Sequence, residues 1–190
     1  SLEVFVSSQL RAITFSTDLS DWIFTLHQRA QQLEKTEFKQ WCFSHLLAIL
    51  PFDSGLWWTR SDLMAKANEH WAQDTSLYRQ PESFMQNYSV IAARPDNPDP
   101  LNLHLSSNVG EFFSIWDVCP KAQWYQTDYY LEHCLPYGIE NAVSALTLPS
   151  KYSAVTHIFS FYRADRQHEF SVNEKLTLAS LLPHLLEAFS

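Results

Sequence analysis

The residue types able to do chemistry are scattered along this chain, and their spacing excludes more than it offers. Glu132-His133-Cys134 puts an acid, an imidazole and a thiol in direct succession. Side chains adjacent on a helix point about 100° apart, so these three cannot pair directly as a nucleophile and its base. Cys42 and His45 lie one helical turn apart, but two ligands do not make a zinc site, and no CxxC or HxxxH complements His133-Cys134. Serine is plentiful, yet no G-x-S-x-G elbow is present to expose a nucleophile. Gly55, Gly110 and Gly138, the 3 glycines of the chain, are too far apart to cradle a phosphate. Binding is better represented. The 7 Trp, 8 Tyr and 13 Phe exceed what a core needs, and a ligand pocket is one outlet for the surplus. Phe84 and Tyr88 share a helix face one turn apart, and Tyr88 combines an apolar body with a polar tip. Asp99, between two prolines, reads on its own as a surface loop carboxylate.

These side chains need a scaffold, and composition bounds it. A chain of 190 residues with 46% hydrophobic residues is read as one domain with a substantial core. The formal charge is −8, from 21 acidic against 13 basic residues, with no Lys/Arg cluster longer than a pair. Nucleic acid demands a basic footprint, so this segment by itself should not bind DNA. The 3 cysteines, Cys42, Cys119 and Cys134, lack disulfide or zinc spacing and fit a reducing cytoplasm. No apolar run approaches the ~20 residues of a membrane span, and residues 1–15 carry no secretory pattern.

Periodicity then places the elements. Residues 20–34 predict a helix capped by Ser20, with Trp22, Leu26, Ala30 and Leu33 on one stripe. Phe38, Trp41, Cys42, His45, Leu46 and Ile49 predict a second, ended by Pro51. Residues 53–59 predict a strand, and residues 64–71 its hairpin partner. Pro81 suits the first turn of a short helix carrying Phe84, Tyr88 and Ile91, and residues 94–100 read as a rigid proline-rich loop. Residues 112–116 predict a short strand and residues 125–135 a helix. Residues 142–148 and 155–162 read as a β-hairpin. Ser171 and Glu174 form a capping-box pattern that opens a terminal helix bearing Leu178, Leu182, Leu185 and Leu186, with Pro183 inside it. This order predicts α+β with an antiparallel sheet rather than a doubly wound parallel one.

Three segments in this order resemble the N-terminal sensor domains of LuxR-type transcription regulators. They are Leu50-Pro51-Phe52-Asp53-Ser54-Gly55-Leu56-Trp57; Tyr129 to Ala142, with Leu135-Pro136-Tyr137-Gly138-Ile139 at its centre; and Phe159-Ser160-Phe161-Tyr162-Arg163 followed by Leu182-Pro183-His184-Leu185. The resemblance runs from about residue 20 to the end and implies a GAF/PAS-like α-β-α sandwich, a five-stranded antiparallel sheet with helices on both faces. It implies a single ligand-sensing domain over 1–190, with a helix-turn-helix DNA-binding domain expected after 190. It also implies a cytoplasmic homodimer that binds an unknown small molecule, reaches DNA through that further domain, and has no cofactor, metal or membrane partner.

The quorum-sensing receptors for acyl-homoserine lactones are one branch of that family. Their pocket pattern has a Trp, a Tyr four residues later, and an Asp-Pro about nine residues beyond. Tyr88 and Asp99-Pro100 match it, while Phe84 stands where the Trp is expected and the second interval is two residues longer. The indole N–H that would bond a lactone carbonyl is therefore absent at Phe84. The resemblance implies a ligand site of Phe84, Tyr88, Asp99, Trp116, Trp57, Phe113, Tyr125 and Ser160, with Asp99 accepting from a ligand amide. Two rival readings stay open: a ligand-independent dimerisation domain of such a regulator, and a small hydrolase or transferase on the same fold.

Overall fold

The computed structural model describes residues 18–60 and 75–190. Helix α1 occupies residues 18–32 and α2 Lys35–Leu46, followed by strands β1, Ser54–Arg60, and β2, Thr75–Tyr78. Helices α3, Ser83–Ala92, and α4, Pro100–Ser107, precede a two-residue strand β3, Phe113–Ser114. Two single-turn helices follow, α5, Ile115–Val118, and α6, Lys121–Trp124. A π-helical turn at Tyr130–Cys134 and a 3-10 turn at Leu135–Tyr137 then lead into β4, Asn141–Thr147, β5, Thr156–Arg163, and the terminal helix α7, Val172–Phe189.

The strands form one antiparallel sheet in the order β2-β1-β5-β4-β3. Side chains alternate between the two faces of a strand, so the register decides which layer each residue joins. Trp57 lies opposite Phe159, and Val143 opposite Phe161. These four meet Leu26 of α1, Phe38, Cys42 and Leu46 of α2, and Leu178, Leu182 and Leu185 of α7 in one core. The intervening residues Leu56, Trp58, Ala142 and Tyr162 face the opposite layer, which α3, α4, α6 and the π-helical turn supply. Gly55 makes the first layer possible. A Cβ there would stand 2.7 Å from Phe43 Cε1 and 3.0 Å from the Ser160 carbonyl, so only glycine lets α2 approach the sheet.

Helix α7 begins as its sequence dictates. Ser171 Oγ accepts from the Glu174 N–H at 3.1 Å, and Glu174 Oε1 accepts from the Ser171 N–H at 3.0 Å. The same carboxylate pairs with Arg163, which is 1% exposed at the end of β5. The guanidinium also donates to the Pro51 carbonyl at 2.9 Å and the Glu169 carbonyl at 2.8 Å, and it stacks 3.9 Å over Phe170. A buried cation is tolerable only with such full pairing, and the cluster ties the closing strand to the first turn of α7.

Several local expectations change. The strand expected at 64–71 lies outside the described residues; among the described residues β1 pairs with β2, Thr75–Tyr78, and with β5. The loop expected at 94–100 ends by starting a helix: Asp99 caps α4, with Pro100 at its first position. Strand β3 stops after two residues because Asp117 Oδ2 accepts from both the Ser114 N–H (2.8 Å) and its hydroxyl (3.0 Å), which turns the chain into α5. The helix expected at 125–135 starts later, at residue 128, and takes π-helical form over Tyr130–Cys134 before the 3-10 turn, which Gly138 ends at φ 70°. No helix among the described residues is long and apolar enough to cross a membrane.

Candidate ligand cavity

The second layer does not close on the sheet. Leu56 and Trp58 of β1 and Ile158, Ser160 and Tyr162 of β5 form the floor of a cavity, with Ala142 and Ser144 of β4 beside them. Phe84, Met85 and Tyr88 of α3 form one wall, and Leu101 and Leu105 of α4 another. Ile115, Trp124, Tyr129 and Cys134 close the far side. The room open to the centre of a water-sized sphere is about 80 Å³. One water needs roughly 10–15 Å³ on that measure, so the space exceeds a packing defect.

The polar groups in this apolar shell are few and convergent, as ligand sites require. Tyr88 Oη donates to Asp99 Oδ2 at 3.0 Å, while Asp99 Oδ1 accepts from the Leu101 N–H at 2.9 Å. The capping role and Pro100 fix the carboxylate, and α3 delivers the phenol to it. Asp99 is 8% exposed, and burial pushes its pKa up to about 6, against the opposing hydrogen bonds from Leu101, Tyr88 and Asn102. Burial, with Asp99 beside it, raises Tyr88 well above the usual phenol range. On the floor, the hydroxyls of Ser144 and Ser160 bond each other at 2.7 Å across the β4–β5 pair.

Four of the residues expected at a ligand site therefore meet here: Phe84, Tyr88, Asp99 and Ser160. Four do not. Trp57 points to the other face of the sheet, where it packs on Phe38, Phe159 and Phe189 and donates from Nε1 to His157 Nδ1 at 3.0 Å. Its neighbour Trp58 takes the cavity position. Trp116 is held behind the wall, its Nε1 donating to Asn141 Oδ1 at 2.8 Å and its ring edge-on to Trp124. Phe113 sits at the sheet edge with His104 edge-on at 4.2 Å. Tyr125 lies outside the lining, under the Arg166 guanidinium at 3.9 Å. Sequence reasoning missed Trp124 altogether, because a single-turn helix has no periodicity to assign a face.

The other reactive side chains are engaged in structure. The indole N–H of Trp57 can only donate, so His157 Nδ1 accepts and the ring proton resides on Nε2, which donates to Ser153 Oγ at 2.9 Å. An imidazole so protonated cannot remove the serine proton, and burial beside Lys39 and Lys35 holds His157 down at about 3. His133 is boxed by Phe84, Tyr88, Tyr129 and Tyr137, accepts at Nδ1 from Asn87, and burial lowers it to about 4. His45 is stacked between Trp22 and Trp41, with its Nε2 2.9 Å from the Trp22 carbonyl. Among the described residues no cluster of three or more His, Cys, Asp or Glu has metal-site geometry.

The chain is thus an α-β-α sandwich with a cavity between its antiparallel sheet and one of the two flanking helical layers. Solved structures share the fold. The ligand-binding domain of VqsR from Pseudomonas aeruginosa superposes with a TM-score of 0.58 at 15% identity, covering 93% of this chain and 94% of that one. CepR2 from Burkholderia cenocepacia, described as an N-acylhomoserine-lactone-dependent LuxR-family transcription factor, gives 0.57 at 13% identity, covering 91% and 93%. Escherichia coli SdiA gives 0.59 at 15% identity over 90% of this chain and 66% of that one, so the chain spans about two thirds of that regulator. SdiA has also been solved in complex with octanoyl-rac-glycerol. No family model and no curated protein matches the sequence, so the likeness is one of fold.

Proposed function

We propose that this chain is the small-molecule-sensing domain of a LuxR-type transcription regulator. Occupancy of the cavity shifts its conformation or dimer state and so controls DNA binding by a separate helix-turn-helix domain of the full-length, cytoplasmic, homodimeric regulator. The observation that carries this reading is the Tyr88–Asp99 pair, an ionisable group kept inside an apolar cavity. Desolvating a carboxylate is costly, and the α4 cap accounts for Oδ1 while Oδ2 meets the Tyr88 hydroxyl within the cavity. On this reading Asp99 accepts from a ligand amide or hydroxyl, Tyr88 and Phe84 hold the ligand's apolar body, and Ser160 orients it from the floor. A ligand can move such an equilibrium only by binding one state better than the other.

A thermal-shift and calorimetric screen of N-acyl-homoserine lactones and octanoyl-rac-glycerol tests it. Binding to the native state raises the melting temperature, by an amount set by RT ln(1 + [L]/Kd). Tyr88→Ala should lower basal stability and lose most of the ligand-dependent rise. Equal gains for wild type and Tyr88→Ala with every hit would contradict the assignment. The modest size of the cavity favours a second reading, a ligand-independent dimerisation domain. Sedimentation velocity showing one unchanging dimer with and without every hit would support that reading.

A further inference from the structure

The cavity wall holds one polar hydrogen that the protein leaves without a partner. Trp124 is fully buried at the end of α6, its ring lines the cavity, and its Nε1–H meets no acceptor among the described residues. An indole N–H can only donate, and a buried donor left unpaired forfeits the hydrogen bond it had with water. The ring is fixed by Tyr129 at 5.7 Å, Tyr130 at 5.9 Å and Trp116 at 6.4 Å between centroids, so the donor is held in place before any ligand arrives. Other donors at the cavity are already used within the protein: the Tyr88 hydroxyl donates to Asp99, and the hydroxyls of Ser144 and Ser160 bond each other. Among the described residues, Trp124 is the one lining this cavity whose buried polar side-chain atom has no partner.

We propose that Trp124 donates from Nε1 to an acyl carbonyl of the ligand. The cavity then selects small, neutral, mainly apolar molecules bearing an ester, amide or ketone carbonyl over hydrocarbons and ethers of the same length. The proposal rests on the ligand-cavity reading above and assigns the acceptor end of the ligand, as Asp99 takes its donor end.

The test compares two matched probes, 1-octanoyl-rac-glycerol and its ether counterpart 1-octyl-rac-glycerol, on wild type and Trp124→Phe, which keeps an aromatic ring in the wall and deletes the N–H. A neutral hydrogen bond predicts that wild type prefers the ester by up to about tenfold and that Trp124→Phe brings the ratio close to one. A ratio preserved in Trp124→Phe, or equal affinities in wild type, overturns the proposal while leaving the cavity reading intact. Wild type that binds neither probe nor any N-acyl-homoserine lactone removes the cavity reading and this proposal with it. Indole ¹H–¹⁵N spectra of the wild type supply a second measurement that needs no variant to fold. The Trp124 resonance, identified by its contacts to the Tyr129 and Tyr130 rings, should move downfield with the ester and not with the ether. Identical movement with both would refute the hydrogen bond.

Discussion

Replacing Asp99 with Asn should remove a pH-dependent component of stability whose sign and window follow from the burial of this carboxylate. Its pKa rises from 3.8 to about 6 on folding, so between those values the folded state holds a proton that the unfolded state has released. The contribution is fully present below 3.8 and is lost as pH rises through about 6. The shift corresponds to about 3 kcal/mol in all, of which roughly 2 kcal/mol falls between about pH 4.5 and 7.5. Wild type alone would hide it, because buried His133 and His157 have lowered pKa values and lose stability in the opposite direction, as pH falls below 6.5. Asn keeps the capping geometry of α4 and cannot ionise, so those other titrations cancel in the difference between the two proteins. Urea unfolding of wild type and Asp99→Asn at half-unit pH steps gives that difference directly. The stability of wild type relative to the variant should decline by roughly 2 kcal/mol across this range and level off above about pH 7. A flat difference would mean that Asp99 reaches water in the folded state, and the argument from an enclosed carboxylate would fail.

Other consequences can be measured separately. Ser171→Ala should cost about 1 kcal/mol through loss of the α7 cap, read as a urea midpoint at constant m-value. Leu182→Ala, buried between α7 and the sheet, should cost about 2–5 kcal/mol; an unchanged midpoint would mean that α7 does not pack there. Gly55→Ala forces a methyl against Phe43 and the Ser160 carbonyl and should cost about 1–3 kcal/mol by thermal unfolding. The imidazole C–H resonances of His133 and His157 should stay at their neutral positions down to about pH 5, since burial lowers them to about 4 and about 3.

The layers were legible because strand alternation and helix periodicity are written in side-chain type. Alternation in β1 puts Trp57 and Trp58 on opposite faces, but it carries no label for which face holds a cavity, and it is Trp58 that lines it. Asp99-Pro100 has the signature of a cap followed by proline at the first helical position. Three prolines within Pro95–Pro100 concealed it behind an apparent loop. Trp116 was favoured by resemblance, and its bond to Asn141, 25 positions along the chain, is a tertiary contact that no local pattern announces. Tyr88 and Asp99 are singled out by family spacing. What brings them together is α4 turning back toward α3, and the sequence marks that turn only by its cap.

The sheet that floors the cavity is a single peptide thick. Ile158, Ser160 and Tyr162 touch the cavity, while His157, Phe159 and Phe161, their immediate neighbours, lie under the helices that include α7. Displacement of the floor is thus delivered to the far layer by the backbone itself, with no relay of side chains between. Such a partition leaves the cavity and the α7 layer sharing the same strand. Substitutions that retune the floor will carry side effects on α7, whereas the walls on α3, α4 and α6 can diversify on their own. Change of ligand preference should therefore accumulate in the walls, with β5 left as the common membrane of a drum that both sides must strike.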